Sequence, residues 1–455
     1  MTDILRAATT DAPGIDVKEM IDRGAWTPYQ KLVLALIALA YVTDGVANQS
    51  LGLAIPALMR DWGLGRGAFA PIAAVGLVGL TIGALVGGVL GDRFGRRWTM
   101  IASTAFFGLA TMAQAWVTNP TELLVLRFID GIGIGAMIPN GAAMIVEFTP
   151  ARKRAFALSI GMAFIAAGAM VSGLIGNLVV EPYGWEGIFL ALGGIGVAVS
   201  LLLLVLLPES PIFLVVSGAG RARIRAAALR CGVEIGDAPL VAVGPPAGPK
   251  RMPLSTLFAP AVASSTVFLW IAFFFCLLAN YAMFSWVPAM LASLGFALSL
   301  TGLGMTFLSL GGILGGIGCG WLIARYGSRL VVLILAGGGV AASLALGTYT
   351  GSVASGARAD LSVVLALLFV IGIFASGLLN GLYTFSAFIY PDHARSTGVG
   401  AAAAAGRIGA IASSFAGVFA LSAGGASGYF QLIAGSLAIS LVMVALIKRQ
   451  IARDA

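Results

Sequence analysis

Roughly twelve apolar runs follow one another along the 455 residues, most of them separated only by short polar turns. A bilayer core needs ~20 consecutive apolar residues per helix. The runs cover approximately 30–53, 68–91, 98–117, 121–148, 155–180 and 187–207, then 263–291, 299–323, 330–349, 361–390, 397–421 and 427–447. Charged residues make up only 10% of the chain and hydrophobic ones 59%, whereas an ordinary soluble domain is ~25% charged. A soluble chain of this length could not hide so much apolar surface, so the expected class is an all-α membrane protein. The 62 glycines suit it, because small residues let membrane helices approach closely.

The one long polar stretch, 209–262, holds Arg221, Arg223, Arg225, Arg230, Lys250 and Arg251 and the Gly-Pro-rich run 244–249. It reads as a cytoplasmic linker. The implied organisation is an N-terminal tail (1–29), a six-helix bundle (30–208), the linker (209–262), a second six-helix bundle (263–447) and a C-terminal tail (448–455). Basic residues set the sidedness. One side of the bilayer holds only Arg60, Arg66 and Arg358, and Arg127 and Arg407 fall inside spans. The rest of the 27 Lys and Arg lie on the other side, with both termini, which places the termini in the cytoplasm. The net charge of +8 is therefore a topology signal and argues for no nucleic-acid partner. The first 30 residues mix acids and bases without an apolar core or cleavage site and read as a tail, not a signal peptide. Cys231, Cys276 and Cys319 are scattered, which suggests neither a metal site nor a disulfide framework.

The turn after the second span reads Gly88-Val-Leu-Gly-Asp-Arg-Phe-Gly-Arg-Arg97, and a fainter copy, Gly320-Trp-Leu-Ile-Ala-Arg-Tyr-Gly-Ser-Arg329, follows the eighth. Gly88, Leu90, Arg93, Gly95 and Arg97 match Gly320, Leu322, Arg325, Gly327 and Arg329. This duplicated turn resembles the signature of the major facilitator superfamily of transporters, which implies twelve helices in two pseudo-symmetric six-helix bundles. The copy has Ala324 where Asp92 stands, so the first turn should carry more of the gating charge. The stretches Glu147-Phe-Thr-Pro-Ala-Arg-Lys-Arg154 and Pro208-Glu-Ser-Pro211 resemble other cytoplasmic-end motifs of the superfamily. Asp92, Arg93, Arg96, Glu147, Arg154 and Glu209 are the gating candidates: opposite charges on facing helix ends can pair when an inner gate shuts and part when it opens. For Arg96, Arg97 and Lys153 the alternative is plain interfacial anchoring.

Ionisable groups at membrane depth are expensive and mark functional sites. Asp44 lies ~21 Å into the first span at 1.5 Å per residue, and Arg407 ~16 Å into the eleventh. Arg127 and Asp130 lie in the fourth. At three apart they share a helix face and can pair, either as a self-neutralised strut or as a proton relay. Asp44 has no sequence-local cation; Tyr41 and Asn48 share its face. A carboxylate at that depth without a partner is costly to keep charged, which makes Asp44 a proton-carrier candidate. Arg407, flanked by Gly406 and Gly409, could take a carboxylate bidentately, or pair with an acid on another helix.

Asp44-Gly45, the full Gly88–Arg97 turn, Ala394-Arg-Ser-Thr-Gly-Val-Gly400 and Gly406-Arg-Ile-Gly409 look like the aromatic acid:proton symporters, a bacterial family that takes up benzoate-like and hydroxybenzoate-like anions. That resemblance implies a bacterial-type inner membrane. The family's first helix usually reads Asp-Gly-x-Asp; here the second acid is replaced by Ala47, with Asn48 and Gln49 next. Aromatic rings in the seventh and tenth spans could stack on a flat substrate, although most are packing or lipid-facing. Asn280, Tyr281, Asn380 and Tyr383 are the candidates there. Trp286, before Pro288, suits an interfacial belt, and His393 reads as an ordinary interfacial residue.

The resulting expectation is proton-coupled uptake of an organic, aromatic carboxylate by alternating access, with a monomer sufficient. Tyr41, Asn48, Asn280, Tyr281, Asn380, Tyr383 and Arg407 would face substrate; Asp44, Arg127 and Asp130 would couple protons. A drug:proton antiporter is the alternative, but the fifth span, Gly168 to Asn177, lacks the Gly-Pro-x-x-Gly-Gly pattern of such exporters. A receptor would want a sizeable soluble domain. No metal cluster, nucleotide loop or nucleophile–base set points to an enzyme, and no cofactor is expected.

Overall fold

The computed structural model describes residues 16–235, 257–258, 262–354, 359–390 and 395–447. Lys250, Arg251, the 244–249 run, Arg358, His393, Ala394 and the C-terminal tail lie outside the described residues. All regular structure among the described residues is helical. The elements are α1 (Val17–Arg23), α2 (Pro28–Trp62), α3 (Ala70–Phe94), α4 (Arg96–Ala113), α5 (Pro120–Phe148), α6 (Arg154–Leu206), α7 (Pro211–Val216), α8 (Arg221–Arg230), α9 (Ala263–Ser293), α10 (Leu298–Tyr326), α11 (Ser328–Ala354), α12 (Leu361–Ile389) and α13 (Arg395–Leu446).

Among the described residues, eight helical stretches are long and apolar enough to cross a membrane, and two of them, of 56 and 50 residues, are long enough to cross twice. Each of those two bends at one glycine: Gly184 (φ 64°, ψ −161°) in α6 and Gly425 (φ 57°, ψ −149°) in α13. Counting the bent helices twice and adding α4 and α5 gives twelve passes. α4 carries Arg96 and Arg97 in its first turn, and α5 carries Arg127, Asp130, Asn140 and Glu147.

The two halves repeat one packing scheme. α2 packs on α6 and α3 on α5 in the first; α9 packs on α13 and α10 on α12 in the second. Missing side chains permit the closest approaches. A Cβ on Gly83 of α3 would overlap the Ile132 carbonyl of α5, and a Cβ on Gly315 of α10 would overlap the Ile373 carbonyl of α12. The duplicated turns match in backbone as well as sequence: Gly95 has φ 98°, ψ 152° and Gly327 has φ 80°, ψ 160°. Only glycine occupies that region comfortably.

Local chemistry fixes the ends. Thr27 and Gln30 form a reciprocal capping box at the start of α2, with Pro28 in the first turn. Asn119 caps α5 ahead of Pro120.

The structure departs from the hydropathy reading in several places. α2 runs on through Pro56 to Trp62. The expected gap between the fifth and sixth spans is a bend inside α6, beside Pro182 and Gly184. The linker begins with α7 and α8, and the N-terminal tail ends in α1. These helices are too short or too polar to register as spans, yet they bury Val17, Ile21, Leu214, Ile224 and Ala228 against the first half. Trp286 is fully buried and packs toward Gly417 of α13; it is a core residue and not an interfacial one, because α9 and α13 are close-packed at that level.

Neighbouring glycines provide a test of the bend. Both Gly424 and Gly425 have open space where a Cβ would go, but only Gly425 has a positive φ. Gly425→Ala should cost about 1–3 kcal/mol in backbone strain. Gly424→Ala, in helical backbone, should be neutral or stabilising by a few tenths to about 1 kcal/mol. The thermal unfolding midpoint in detergent should fall for Gly425→Ala and hold or rise for Gly424→Ala.

Candidate functional site: a cavity between the halves

α2, α6, α9, α10 and α12 enclose a cavity of about 420 Å³ between the halves. Its wall runs along α6 from Leu158 to Ala169 and along α10 from Gly312 to Ile317. Leu158 lies one turn from the start of α6, beside the Arg152–Arg154 turn, so the cavity reaches the side that carries the basic turns. An apolar recess between Phe156, Phe164, Ile317 and Gly320 adjoins it there. At the far end, beyond Asn48 and Gln49, a smaller recess reaches Arg127, Gly76 and Ser285.

The side away from the basic turns is closed. There the Gly302 N–H donates to Asn177 Oδ1 (2.9 Å) and Thr306 Oγ1 donates to the Met170 carbonyl (3.2 Å). A Cβ on Gly173 would overlap the Gly302 carbonyl, and one on Gly52 would press on the Phe284 carbonyl. The structure is thus a state open on one face only.

Asp44, in α2, is 3% exposed. It makes no hydrogen bond or ion pair with any described residue. The charges that act on it are Arg407, from the other half, and Asp130. Arg407 is half-buried in α13, and its Nη1 donates a long 3.4 Å hydrogen bond to Tyr281 Oη. That is its one hydrogen bond among the described residues, so most of its five donors are free. Tyr281 lines both the cavity and the smaller recess.

Arg127 and Asp130 are arranged in the opposite way. Arg127 Nη1 lies 2.6 Å from Asp130 Oδ2. The same guanidinium donates to Ser50 Oγ and the Ala47 carbonyl, both at 3.3 Å, and to the Asn48 carbonyl at 2.9 Å. Asp130, fully buried, also accepts from Thr111 Oγ1 (3.0 Å) and Gln114 Nε2 (3.3 Å). The pair is a satisfied network that ties α5 to α2 and to the end of α4.

On the basic side, Arg96 holds Asp92 Oδ1 (2.8 Å), Glu147 Oε1 (3.3 Å) and the Gly91 carbonyl (2.6 Å). Glu209 Oε1 accepts from the Arg97 N–H (3.2 Å) at the start of α4 and from the Ser210 N–H (3.0 Å). Burial pushes its carboxyl above the ordinary value, and those amide hydrogen bonds draw it back. Arg154 pairs with Asp22 of α1 and donates to the Val146 carbonyl (3.0 Å). Arg93 lies over the Phe94 ring, 5.3 Å from its centroid. Every partner lies in the first half or in the segments that flank it, α1 and the start of the linker; among the described residues no ion pair joins the two halves.

Of the residues expected to face substrate, Asn48, Asn280, Tyr281 and Asn380 line the cavity. Tyr41 does not: it is fully buried inside the first half, packed against Gly141, with its hydroxyl donating to the Ile138 carbonyl at 2.9 Å. Its i−3 spacing from Asp44 puts it on the same helix stripe but one turn too far into the bundle. Tyr383 stacks edge-on against Phe273, and neither it nor Arg407 is among the residues that line the cavity; Arg407 meets the wall through its hydrogen bond to Tyr281. The Asn280 and Asn380 amides are already engaged, with the Cys276 (2.9 Å) and Ser376 (3.1 Å) carbonyls. The sequence reading passed over Gln49, which lines both chambers, and Thr111 and Gln114, which support Asp130. An amide in mid-span was the available signal for the first; the other two showed only as polar residues near a span end.

A family model described as Major Facilitator Superfamily matches residues 37–359 and 269–454. A gallate transporter from Pseudomonas putida is 33% identical over 414 residues, covering 91% of this chain and 90% of that protein. The 4-hydroxybenzoate transporter PcaK of the same organism is 29% identical over 425 residues, covering 92% of each. A solved structure of the xylose transporter XylE from E. coli superposes with a TM-score of 0.70 at 16% identity, covering 93% of this chain and 99% of that one.

The Arg127 network predicts a rescue. Arg127→Leu leaves Asp130 buried without its cation, at a cost of about 3–5 kcal/mol. The double change Arg127→Leu with Asp130→Leu should recover most of that loss. Thermal unfolding of the three proteins in detergent measures the difference.

Proposed function

The chain belongs to the major facilitator superfamily, and from that premise we propose that it couples the uptake of an aromatic carboxylate to protons by alternating access. It is a multi-pass membrane transporter and not an enzyme. The basic side faces the cytoplasm in this reading, as the distribution of Lys and Arg argues. The structure is then an inward-facing state in a bacterial inner membrane, and a single chain suffices.

The observation that carries the proposal is the relation between Asp44 and Arg407. They come from opposite halves, lie near enough to act on each other electrostatically, and neither forms an ion pair with any described residue. Arg407 has guanidinium donors to spare for a carboxylate. A substrate anion at Arg407 competes with the Asp44 anion for the same positive charge. A proton on Asp44 removes the competitor, so proton and substrate bind cooperatively, and each strengthens the other equally. Arg127 is a poorer substrate partner because Asp130 and the α2 carbonyls already occupy it. The gallate and 4-hydroxybenzoate relatives support an aromatic acid as the cargo. The Asp92–Arg96–Glu147 cluster and Glu209 hold the ends of the first half together in this state; their gating role would be to meet the second half when the cytoplasmic face closes.

Reconstituted protein should accumulate labelled 4-hydroxybenzoate when an inward proton gradient is imposed. Arg407→Ala should abolish uptake while the protein still reaches the membrane. Asp44→Asn should lose gradient-driven accumulation but retain exchange of labelled for unlabelled acid. Wild-type accumulation in both variants would refute these assignments.

A further inference from the structure

Two amides in the middle of α2 face open space with nothing to bond. Gln49 is 4% exposed, yet its side chain makes no hydrogen bond with any described residue. The same holds for the side chain of its neighbour Asn48, whose carbonyl alone is held, by Arg127. Both residues line the main cavity and also the smaller recess beyond it, so they stand at the junction of the two. Across that junction lie Tyr281 and Phe284, which line the same two chambers. Tyr281 receives the hydrogen bond from Arg407.

We propose that Gln49, with Asn48, reads ring hydroxyl groups on the substrate and so makes this protein selective for hydroxylated aromatic acids over unsubstituted ones. The proposal rests on the reading of an aromatic carboxylate held at Arg407. A primary amide offers one acceptor oxygen and two donor hydrogens side by side. A pair of adjacent phenolic hydroxyls offers a donor and an acceptor with matching spacing, so one amide can exchange two hydrogen bonds with it. The aromatic walls of Tyr281 and Phe284 suit the flat ring between the two polar ends.

The geometry also explains why the other cavity amides do not compete for this role. Asn280 donates to the Cys276 and Ala375 carbonyls, and Asn380 donates to the Ser376 carbonyl. Gln49 has no such neighbour. A buried polar group left without a partner is costly, and a site built to bond a hydroxyl discriminates strongly against the analogue that lacks it.

The test is uptake of 3,4-dihydroxybenzoate and of benzoate by reconstituted wild-type, Gln49→Met and Gln49→Ala proteins. Met keeps the bulk without the amide, and Ala removes both, so a packing effect and a bonding effect separate. The ratio of kcat/KM for the dihydroxy acid over benzoate should fall about tenfold or more in both variants. An unchanged ratio, whether both acids lose equally or neither loses, overturns the role of Gln49 and leaves the carboxylate reading standing. No uptake of either acid by the wild type overturns both.

Discussion

Two backbone carbonyls of α2, those of Ala47 and Asn48, are held by the guanidinium of Arg127 from α5, and the arrangement of the cavity follows from that hold. α2 carries the buried Asp44 and, on the cavity wall, Asn48 and Gln49. Arg127 fixes the peptide units between and beside them. Asp130 fixes Arg127, and Thr111 and Gln114 fix Asp130. A charge pair in lipid is tolerable only when its remaining lone pairs and protons are also met. Here that requirement recruits three helices, and the polar stripe of α2 is aligned as a result.

The polar groups at membrane depth therefore fall into two sets. One set is engaged: Arg127 and Asp130 in their shared network, and the Asn280 and Asn380 Nδ2 groups with helix carbonyls. The other has donors, acceptors or charge to spare: Asp44, Asn48, Gln49 and Arg407. The first set holds helices together, and the second is left with uncommitted hydrogen-bonding capacity or charge. The halves also differ in what they contribute. The first brings the acids and the unbonded amides of Asn48 and Gln49, and the second brings Arg407 with its aromatic neighbours. Binding between them joins unlike surfaces on a repeated frame.

The frame was legible in the sequence because apolar run length and the duplicated glycine turn are local signals. Gly95 and Gly327 share a backbone conformation that no side-chain-bearing residue adopts readily, and their spacing within matched decapeptides announces the repeat. The i, i+3 spacing of Arg127 and Asp130 likewise announced a pair. The remaining partners of Arg127 were not legible, since a backbone carbonyl has no sequence signature. Tyr41 and Trp286 were misplaced for a related reason: helical spacing gives the angle around one helix but not what stands opposite. α1, α7 and α8 escaped a reading tuned to apolar length, although Val17, Ile21, Ile224 and Ala228 give them buried faces. Asp22, the partner of Arg154, went unnoticed with them.

The closed end of the molecule is backbone laid on backbone. Where Gly173 meets Gly302 there is no side chain to bend aside, and the Asn177 hydrogen bond sits at the same crossing. Parting the helices by even an ångström or so forfeits the dispersion contact and the bond in one step. Such a seal has few half-open positions to rest in. For a membrane that stores energy as an ion gradient, that abruptness limits leakage, since a pore wide enough for water but too narrow for cargo would short-circuit the gradient without doing any transport.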